Sequence, residues 1–193
     1  MEKNNKFFAV LDTETNWSDQ VMSIGIVIAN ADTFEAVTYK YYILAPEYKS
    51  GGMYSGVLKI RNQKIDMIDS RKNVTADIIH IFKQYGVRAI FAYNALFDCN
   101  HLSELKKFQW FDIMKIAAYR QFNSSIPESS ECYSTGRLKR NYGVEPIMRL
   151  LSGSRNYHEK HNALCDAIDE LKIMKLLGHG LEVYNAAKIA SGI

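Results

Sequence analysis

The stretch KFFAVLDTET at residues 6–15 decides the fold, because it joins an apolar strand to two acids. Residues 6–11 are dense in apolar side chains and end at Asp12, a pattern typical of a buried strand. Side chains alternate along a strand, so Asp12 and Glu14 are expected to point to the same face. Two neighbouring carboxylates repel each other, and a bound divalent cation is a common reason for such a pair. Taken alone, a D-x-E sequence is common, and a strand that ends in a polar turn explains it better.

Further strand and helix patterns follow this stretch and predict an α/β domain. Apolar runs at 22–29 and 37–45 are joined to the first strand by short polar links, which predicts an antiparallel meander. A fourth strand is predicted at 87–93, while 110–120 fits a strand or a helix equally well and 47–72 reads as irregular with a short helix. Helices are predicted at 73–85 (capped by Asn73 or Thr75), 98–108, 136–142, 146–151 and 162–177, with a loop at 123–135. This order of elements predicts a mixed sheet flanked by helices.

Two later segments carry acids at the starts of predicted helices. Asp98 ends the segment NALFD (94–98), between a strand and a helix, where an N-cap is the simpler interpretation. The segment HNALCDA (161–167) places Asp166 five residues after His161, about 140° away around a helix, so the two cannot share one helical face. His161 is therefore expected on the incoming loop, reaching back towards Asp166 one turn inside the helix. Because its helical neighbours are apolar, burial of Asp166 requires a partner or a metal.

Composition and charge are those of an ordinary globular protein. The 193 residues suit one domain, 47% of them are hydrophobic, and a net charge of +3 does not by itself indicate nucleic acid. Cys99, Cys132 and Cys165 are scattered and odd in number, which argues against a disulfide framework or a thiolate zinc site. No apolar run has the length of a signal-peptide core or a membrane span. We therefore expect a protein of the reducing cytoplasm.

The three acidic segments, taken in order, resemble the motifs of a known family. LDTET, NALFD and HNALCDA are similar to the three exonuclease motifs of the DnaQ-like family, and the spacing of His161 and Asp166 is that of its histidine-bearing DEDDh branch. FDIMKIA (111–117) and LKRNYGVE (138–145) resemble secondary motifs of the same family. The similarity therefore runs over residues 6–178, and the order and spacing of the motifs make it far more specific than any one of them.

Several positions depart from the family pattern. Asn16 and Trp17 stand where Thr-Gly often follows the first motif, and Tyr93 stands where a His is frequent. A His-Gly-Ile-type motif has no counterpart between residues 47 and 70. None of these departures removes a catalytic side chain, but they leave subfamily and substrate preference open.

The resemblance implies a fold, an activity and cofactors. The implied fold is a ribonuclease H-like α/β domain with a central mixed five-stranded sheet, one exonuclease domain over residues 1–193 with its motifs within 6–178 and a short tail. The implied activity is hydrolysis of phosphodiester bonds at the 3′ end of DNA or RNA, which releases nucleoside 5′-monophosphates with the help of two Mg²⁺ or Mn²⁺ ions about 4 Å apart. By the same resemblance, Asp12 bridges both ions, Glu14 and Asp166 complete one site, Asp98 serves the other, and His161 is the general base.

Other residues near the motifs are candidates for binding substrate. The backbone at Thr13 and Glu14 and the side chain of Asn94 are candidates for holding the 3′ end. Phe97 and Trp17 are candidates for stacking on the terminal bases. For Phe97, packing in the core is an equally good interpretation. Basic residues near the motifs in sequence are candidates for holding phosphates, although dispersed Lys and Arg usually form a solvated surface: Arg137, Lys139, Arg140, Arg155 and Lys160.

Three interpretations of function are open at this point. The first is an active exonuclease on single-stranded 3′ ends, acting alone or with a DNA polymerase. The second is a catalytically silent relative that binds nucleic acid or a polymerase, and the third is an unrelated α/β domain whose acids are caps and surface groups. All five chemical positions are present, which favours the first over the second, and the third requires three coincident motifs in the right order.

Overall fold

Six strands form the central sheet of the protein, which a computed structural model describes over residues 6–189. The strands are β1 (Phe7–Thr15), β2 (Val21–Asn30), β3 (Ala36–Leu44), β4 (Met67–Asp69), β5 (Ala89–Ala92) and β6 (Gln109–Asp112). Their order is β4-β3-β2-β1-β5-β6. β2 is antiparallel to both β1 and β3, whereas β4 runs parallel to β3, β5 to β1 and β6 to β5. The predicted mixed sheet and its antiparallel meander are thereby confirmed. Residues 1–5 and 190–193, the ends of the predicted domain, lie outside the described residues.

The sheet has six strands where five were expected. The additional strand, β4, lies in a segment that reads as irregular in the sequence, because three residues are too few for an alternating pattern. It is defined by its pairing with β3, in which Met67 lies opposite Tyr42. The ambiguous segment 110–120 divides into β6 and a short helix, and the Asp112 carboxylate accepts a hydrogen bond from the Met114 amide at 3.0 Å where the helix begins.

Five α-helices lie within residues 6–189, mostly close to their predicted places. They are α1 (Arg71–Tyr85), α2 (Leu96–His101), α3 (Met114–Ala117), α4 (Val144–Ser152) and α5 (Ala163–Leu177). The prediction that Asn73 or Thr75 caps α1 is wrong, because the Ser70 side chain accepts from the Asn73 amide at 3.4 Å. α2 is shorter than predicted, because Leu102 leaves the helical conformation and a separate 3-10 turn follows at Ser103–Leu105.

The predicted helix at 136–142 is wrong, because this segment forms a turn and an extended return. The Tyr133 amide donates to the Arg137 carbonyl at 2.8 Å, and Cys132 pairs with Leu138 in an isolated bridge. Gly136 has a φ of +85°, which interrupts a helix and which glycine adopts without strain.

The core lies on both faces of the sheet, and strand alternation decides which residue faces which helix. Phe8 and Val10 of β1 belong to the cluster that contains the apolar residues of α5. Ala9 and Leu11 belong to the opposite cluster, with the apolar residues of α1. Within the described residues, no helix is both long and apolar enough to cross a membrane.

Candidate active site

The first acidic pair lies within the C-terminal part of β1. The strand continues to Thr15, beyond its predicted end, so Asp12 and Glu14 are strand residues. By alternation they continue the face of Phe8 and Val10, which α5 covers. Glu14 is buried, and the Oδ2 atom of Asp12 is buried without a hydrogen-bond partner. The Asp12 carboxylate is thus held against the protein interior with one oxygen unsatisfied, beside the buried Glu14.

A glycine on the neighbouring strand lets α5 approach this pair. Gly25 of β2 lies opposite Asp12 in the sheet register. A Cβ atom on Gly25 would lie 2.1 Å from the Ala163 carbonyl oxygen, so the backbones of β2 and of the first turn of α5 are in direct contact. Asp166 lies one turn further along α5, where it repels both Asp12 and Glu14 electrostatically. A side chain at position 25 would push the helix, and with it Asp166, away from β1.

The start of α5 is fixed by a buried asparagine. The Asn162 side chain accepts a hydrogen bond from the Cys165 amide at 3.3 Å and so caps the helix. Its Nδ2 donates to the Val57 carbonyl at 2.8 Å and to the Tyr41 hydroxyl at 3.1 Å, and Gln63 donates to its Oδ1 at 2.7 Å. These bonds tie the long β3–β4 connection to the helix start.

His161 lies just before α5, on the incoming segment that the helix geometry required. Its φ is +53°, an uncommon backbone conformation for a residue other than glycine. Ligand atoms of His161, Glu14 and Asp166 all lie within 4.8 Å of one another. The imidazole stacks on the Tyr54 ring, with centroids 4.1 Å apart and planes 14° from parallel. Tyr54 was not anticipated from the sequence, because a contact across about a hundred residues leaves no local pattern.

Asp98 approaches the cluster from the opposite helix layer. It lies within the first turn of α2 and is 2% exposed. The Thr13 hydroxyl donates to its Oδ1 at 2.7 Å, so the strand residue between Asp12 and Glu14 orients this third carboxylate. Asp98 is therefore not the N-cap that its position in the sequence suggested.

Burial raises the pKa of the acids in this cluster. Burial, followed by repulsion from Asp166, raises the pKa of the Glu14 carboxyl to about 8. Burial, followed by repulsion from Glu159, raises the pKa of Asp166 to about 8. The pKa of Asp98 rises to about 7, because burial outweighs the hydrogen bond from Thr13. Such shifts are typical of functional sites that bind a compensating charge.

Comparison with known proteins places this arrangement in a known fold. No protein-family model and no curated protein sequence matches the chain. The nuclease domain of 3′hExo, a DEDDh family member bound to rAMP, matches with a TM-score of 0.59 and 17% identity, over 93% of this chain and 96% of that one. Exonuclease X in complex with 5′ overhanging duplex DNA matches with a TM-score of 0.57 and 18% identity, over 96% of this chain and 99% of that one. A 3′-exonuclease that recognises the 3′ end of a histone mRNA stem-loop matches with a TM-score of 0.61 and 16% identity, and this chain spans 65% of its length.

The chain has the DEDDh exonuclease fold. At 16–18% sequence identity this similarity concerns the fold alone.

A fifth acid, not anticipated from the sequence, belongs to the same cluster. Glu170 follows Asp166 by one turn of α5, is 1% exposed, and its Oε2 has no hydrogen-bond partner. Burial raises its pKa well above the ordinary value, and after burial its charge is the largest cause of the raised pKa of Asp12. The four-residue spacing was a usable signal. The apolar residues around Asp166 do not mark the buried face reliably, because Ile168 among them is 38% exposed whereas Glu170 is buried.

The ligand atoms that the cluster offers fit divalent metal ions. Hard cations prefer carboxylate oxygens, and buried carboxylates without hydrogen-bond donors are the groups such a cation would satisfy. Besides Asp12, the Oδ1 atom of Asp166 is buried without a partner. Glu14, Asp166 and His161 form the group whose ligand atoms lie close enough to hold one ion together.

A cleft next to the acids contains most of the predicted substrate-binding residues. It has a volume of about 340 Å³, and Thr13, Glu14, Trp17, Tyr54 and Phe97 are among the residues that line it. Trp17 is 70% exposed and Phe97 is 39% exposed, so Phe97 is not simply a core residue.

Asn94 is the predicted substrate-binding residue that does not line this cleft. It is exposed and lies in the turn between β5 and α2, with a φ of +62°. Its backbone N–H donates a hydrogen bond to the Asp112 carboxylate at 3.0 Å.

Proposed function

We propose that the protein is a metal-dependent 3′→5′ exonuclease that hydrolyses terminal phosphodiester bonds of nucleic acid. The observation that carries the proposal is the convergence of three buried carboxylates, the half-buried Asp12 and a histidine from β1, α2 and the start of α5 in a DEDDh fold. A catalytically silent protein gains nothing from burying these acids together, because their mutual repulsion destabilises it. We propose further that residues 1–193 form one exonuclease domain.

The carboxylates of the cluster are proposed as the metal ligands. Asp12 is affected electrostatically by Glu14, Asp98 and Asp166, and these four carboxylates are the residues that would hold the metal ions. When bound, two Mg²⁺ or Mn²⁺ ions stabilise the charge that gathers on the attacking and leaving oxygens of a phosphodiester. The Thr13 hydroxyl fixes the orientation of Asp98, so this ligand is in place before substrate arrives.

His161 is proposed as the general base. An imidazole accepts a proton from water at physiological pH, and proton transfer by a positioned group contributes about 10²–10⁴-fold in rate. The Tyr54 ring holds the imidazole plane beside Glu14 and Asp166, where the attacking water has to be deprotonated. His161→Ala is therefore expected to lower kcat by about 10²–10⁴-fold while metal binding persists.

The substrate is proposed to be a 3′ end presented as a single strand. Trp17 and Phe97 offer exposed aromatic faces at the cleft, and base–aromatic stacking does not depend on sequence. The related folds include a 3′-exonuclease that recognises an mRNA stem-loop and an exonuclease in complex with 5′ overhanging duplex DNA, so both sugars are to be tested. Association with a DNA polymerase and a cytoplasmic location stay predictions.

The decisive experiment follows the shortening of labelled oligomers. Single-stranded DNA and RNA carrying a 5′ label are incubated with the protein and Mg²⁺, Mn²⁺ or a chelator. We expect a metal-dependent ladder that shortens from the 3′ end, at least about 100-fold slower for Asp12→Asn. Asp32→Asn, in the exposed β2–β3 turn, is the matched control and should be as active as the wild type. Equal activity of Asp12→Asn and the wild type, or no shortening with either metal, would refute the proposal.

A further inference from the structure

A second cluster of aromatic and basic side chains lies outside the acidic cleft. The Arg137 guanidinium lies over two rings, 4.9 Å from the Tyr133 centroid and 5.2 Å from the Tyr142 centroid. Tyr133 is 48% exposed and Tyr142 is 38% exposed. We call these three residues the tyrosine–arginine platform. Exposed aromatic rings beside a guanidinium are the elements with which proteins bind single-stranded nucleic acid.

The platform is held in place by the backbone. The Tyr133 amide donates to the Arg137 carbonyl at 2.8 Å, and the Gly136 amide donates back to the Tyr133 carbonyl at 2.9 Å. Arg137 also pairs with Tyr119 in an isolated bridge, which ties this turn to the segment after α3. A preformed site loses less conformational entropy on binding than a loop that has to order.

The platform lies on the same side of the fold as the acids. The Tyr93 hydroxyl donates to the Tyr142 carbonyl, and Tyr93 is the first residue after β5. β5 runs parallel to β1, whose C-terminal part carries Asp12 and Glu14, so Tyr93 lies at the same end of the sheet as these acids. The hydrogen bond between Tyr93 and Tyr142 therefore ties the platform to the end of the sheet that carries the acids.

The charge around the platform favours an anionic partner. Lys139 and Arg140 are exposed, and no carboxylate within residues 6–189 pairs with either. Arg140 also lines an adjoining cleft of about 620 Å³, together with Asn141, Arg149 and the acidic Glu131. Arg149 already has Glu145 as its partner, so Glu131 offsets Arg140 within this cleft, and the excess positive charge at the platform comes from Arg137 and Lys139.

We infer that the tyrosine–arginine platform, with Lys139 and Arg140, binds the single-stranded part of a nucleic acid upstream of the 3′-terminal nucleotide. The tyrosine rings stack on bases, and the three basic side chains contact phosphates. This inference rests on the proposed function, because it gives the acid cluster a second point of attachment for a long substrate. The preferred substrate is therefore an oligomer, not a dinucleotide.

The test measures oligomer binding in chelator, where turnover is absent. Fluorescence anisotropy compares 5′-labelled dT12 with dT3 as salt is varied. We expect the wild type to prefer dT12, and Arg137→Ala, Tyr133→Ala and Tyr142→Ala each to weaken dT12 binding about tenfold. Arg137→Ala should also reduce the slope of log affinity against log salt by about one. Tyr133→Phe keeps the ring and should bind like the wild type.

A matched control is present elsewhere in the chain. Lys107 lies over the Phe108 ring, 5.6 Å from its centroid, just before β6 and so at the opposite end of the parallel strands from Asp98. Lys107→Ala removes a cation–π pair and one positive charge and should leave dT12 binding unchanged. A loss of the same size in Lys107→Ala would show that only overall charge matters, which would overturn the inference.

Hydrolysis separates this inference from the proposed function. Thymidine 5′-p-nitrophenyl phosphate occupies only the terminal position, so Arg137→Ala should hydrolyse it at the wild-type rate while its KM for dT12 rises. If the wild type binds dT12 through the platform but hydrolyses neither substrate, the proposed function fails and the binding surface stands. If the platform variants bind dT12 as tightly as the wild type, or if the wild type does not prefer dT12 to dT3, the inference is overturned whatever the activity.

Discussion

Raising the pH should destabilise this protein when divalent metal is absent. The Glu14 and Asp166 carboxyls have pKa values of about 8 in the folded state, because burial and neighbouring acids disfavour their charged forms. The unfolded chain releases these protons near pH 4–4.5. Between those limits the folded state holds more protons than the unfolded state. The stability that these protons confer is fully present below about pH 4 and is lost as the pH rises through about 8.

The size of the effect follows from Glu14 alone. A group with a pKa of about 8 in the folded state and 4.5 in the unfolded state keeps nearly one extra proton between pH 5.5 and 7.5. One proton corresponds to about 1.4 kcal/mol per pH unit, so the free energy of unfolding should fall by about 2–3 kcal/mol over this range. Small proteins have about 5–15 kcal/mol in total, so the change is readily measured.

Urea denaturation in chelator at pH 5.5, 6.5 and 7.5 measures the slope, and two variants assign it. Glu14→Gln removes one titrating group and should flatten the slope. Glu104→Gln is the control, because hydrogen bonds from Arg71 hold the pKa of Glu104 at about 2 and its contribution is lost only at lower pH. A metal-free stability that stays constant or rises from pH 5.5 to 7.5 would refute the reasoning, as would an unchanged slope in Glu14→Gln.

Four further results are expected. Mg²⁺ should raise the free energy of unfolding more at pH 7.5 than at pH 5.5, measured by urea titration, because protonated carboxyls bind metal poorly. Gly25→Ala should destabilise the protein by at least about 1–3 kcal/mol in the same assay, since its Cβ meets the Ala163 carbonyl; unaltered stability would contradict this. Asn162→Ala should cost about 1–2 kcal/mol by thermal unfolding, with Asn162→Asp as the cap-preserving comparison. If the Tyr54 ring orients His161, Tyr54→Ala should lower kcat for oligomer hydrolysis and change KM little, whereas Tyr54→Phe, which keeps the ring, should have the wild-type kcat.

The parts of the site that the sequence predicted are those governed by local geometry. Alternation along a strand put Asp12 and Glu14 on one face, and β1 carries both residues towards α5. The rotation per residue of a helix placed His161 outside α5 and Asp166 inside it, which is how the two residues are arranged. Both statements need only the neighbouring few residues.

The parts that the sequence did not predict depend on distant contacts. β4 exists because it pairs with β3, and Tyr54 belongs to the site because it stacks on His161. Ser70, and not the expected Asn73, caps α1, since several polar residues near a helix start compete and backbone geometry selects one. Propensity and spacing carry no information on such choices.

The acid cluster is tolerated because the surrounding structure holds it together. Nine of the ten residues of β2 are buried, and Gly25 brings this strand into direct contact with α5 beside Asp12. Glu170 adds a further buried carboxyl without a full set of hydrogen-bond partners, which lowers the stability of the metal-free protein. Buried acids that lower the stability of the protein are typical of a site whose function needs their charge, since neutral side chains of the same shape would make the protein more stable. The arrangement is therefore better explained by cation binding than by any contribution to the fold.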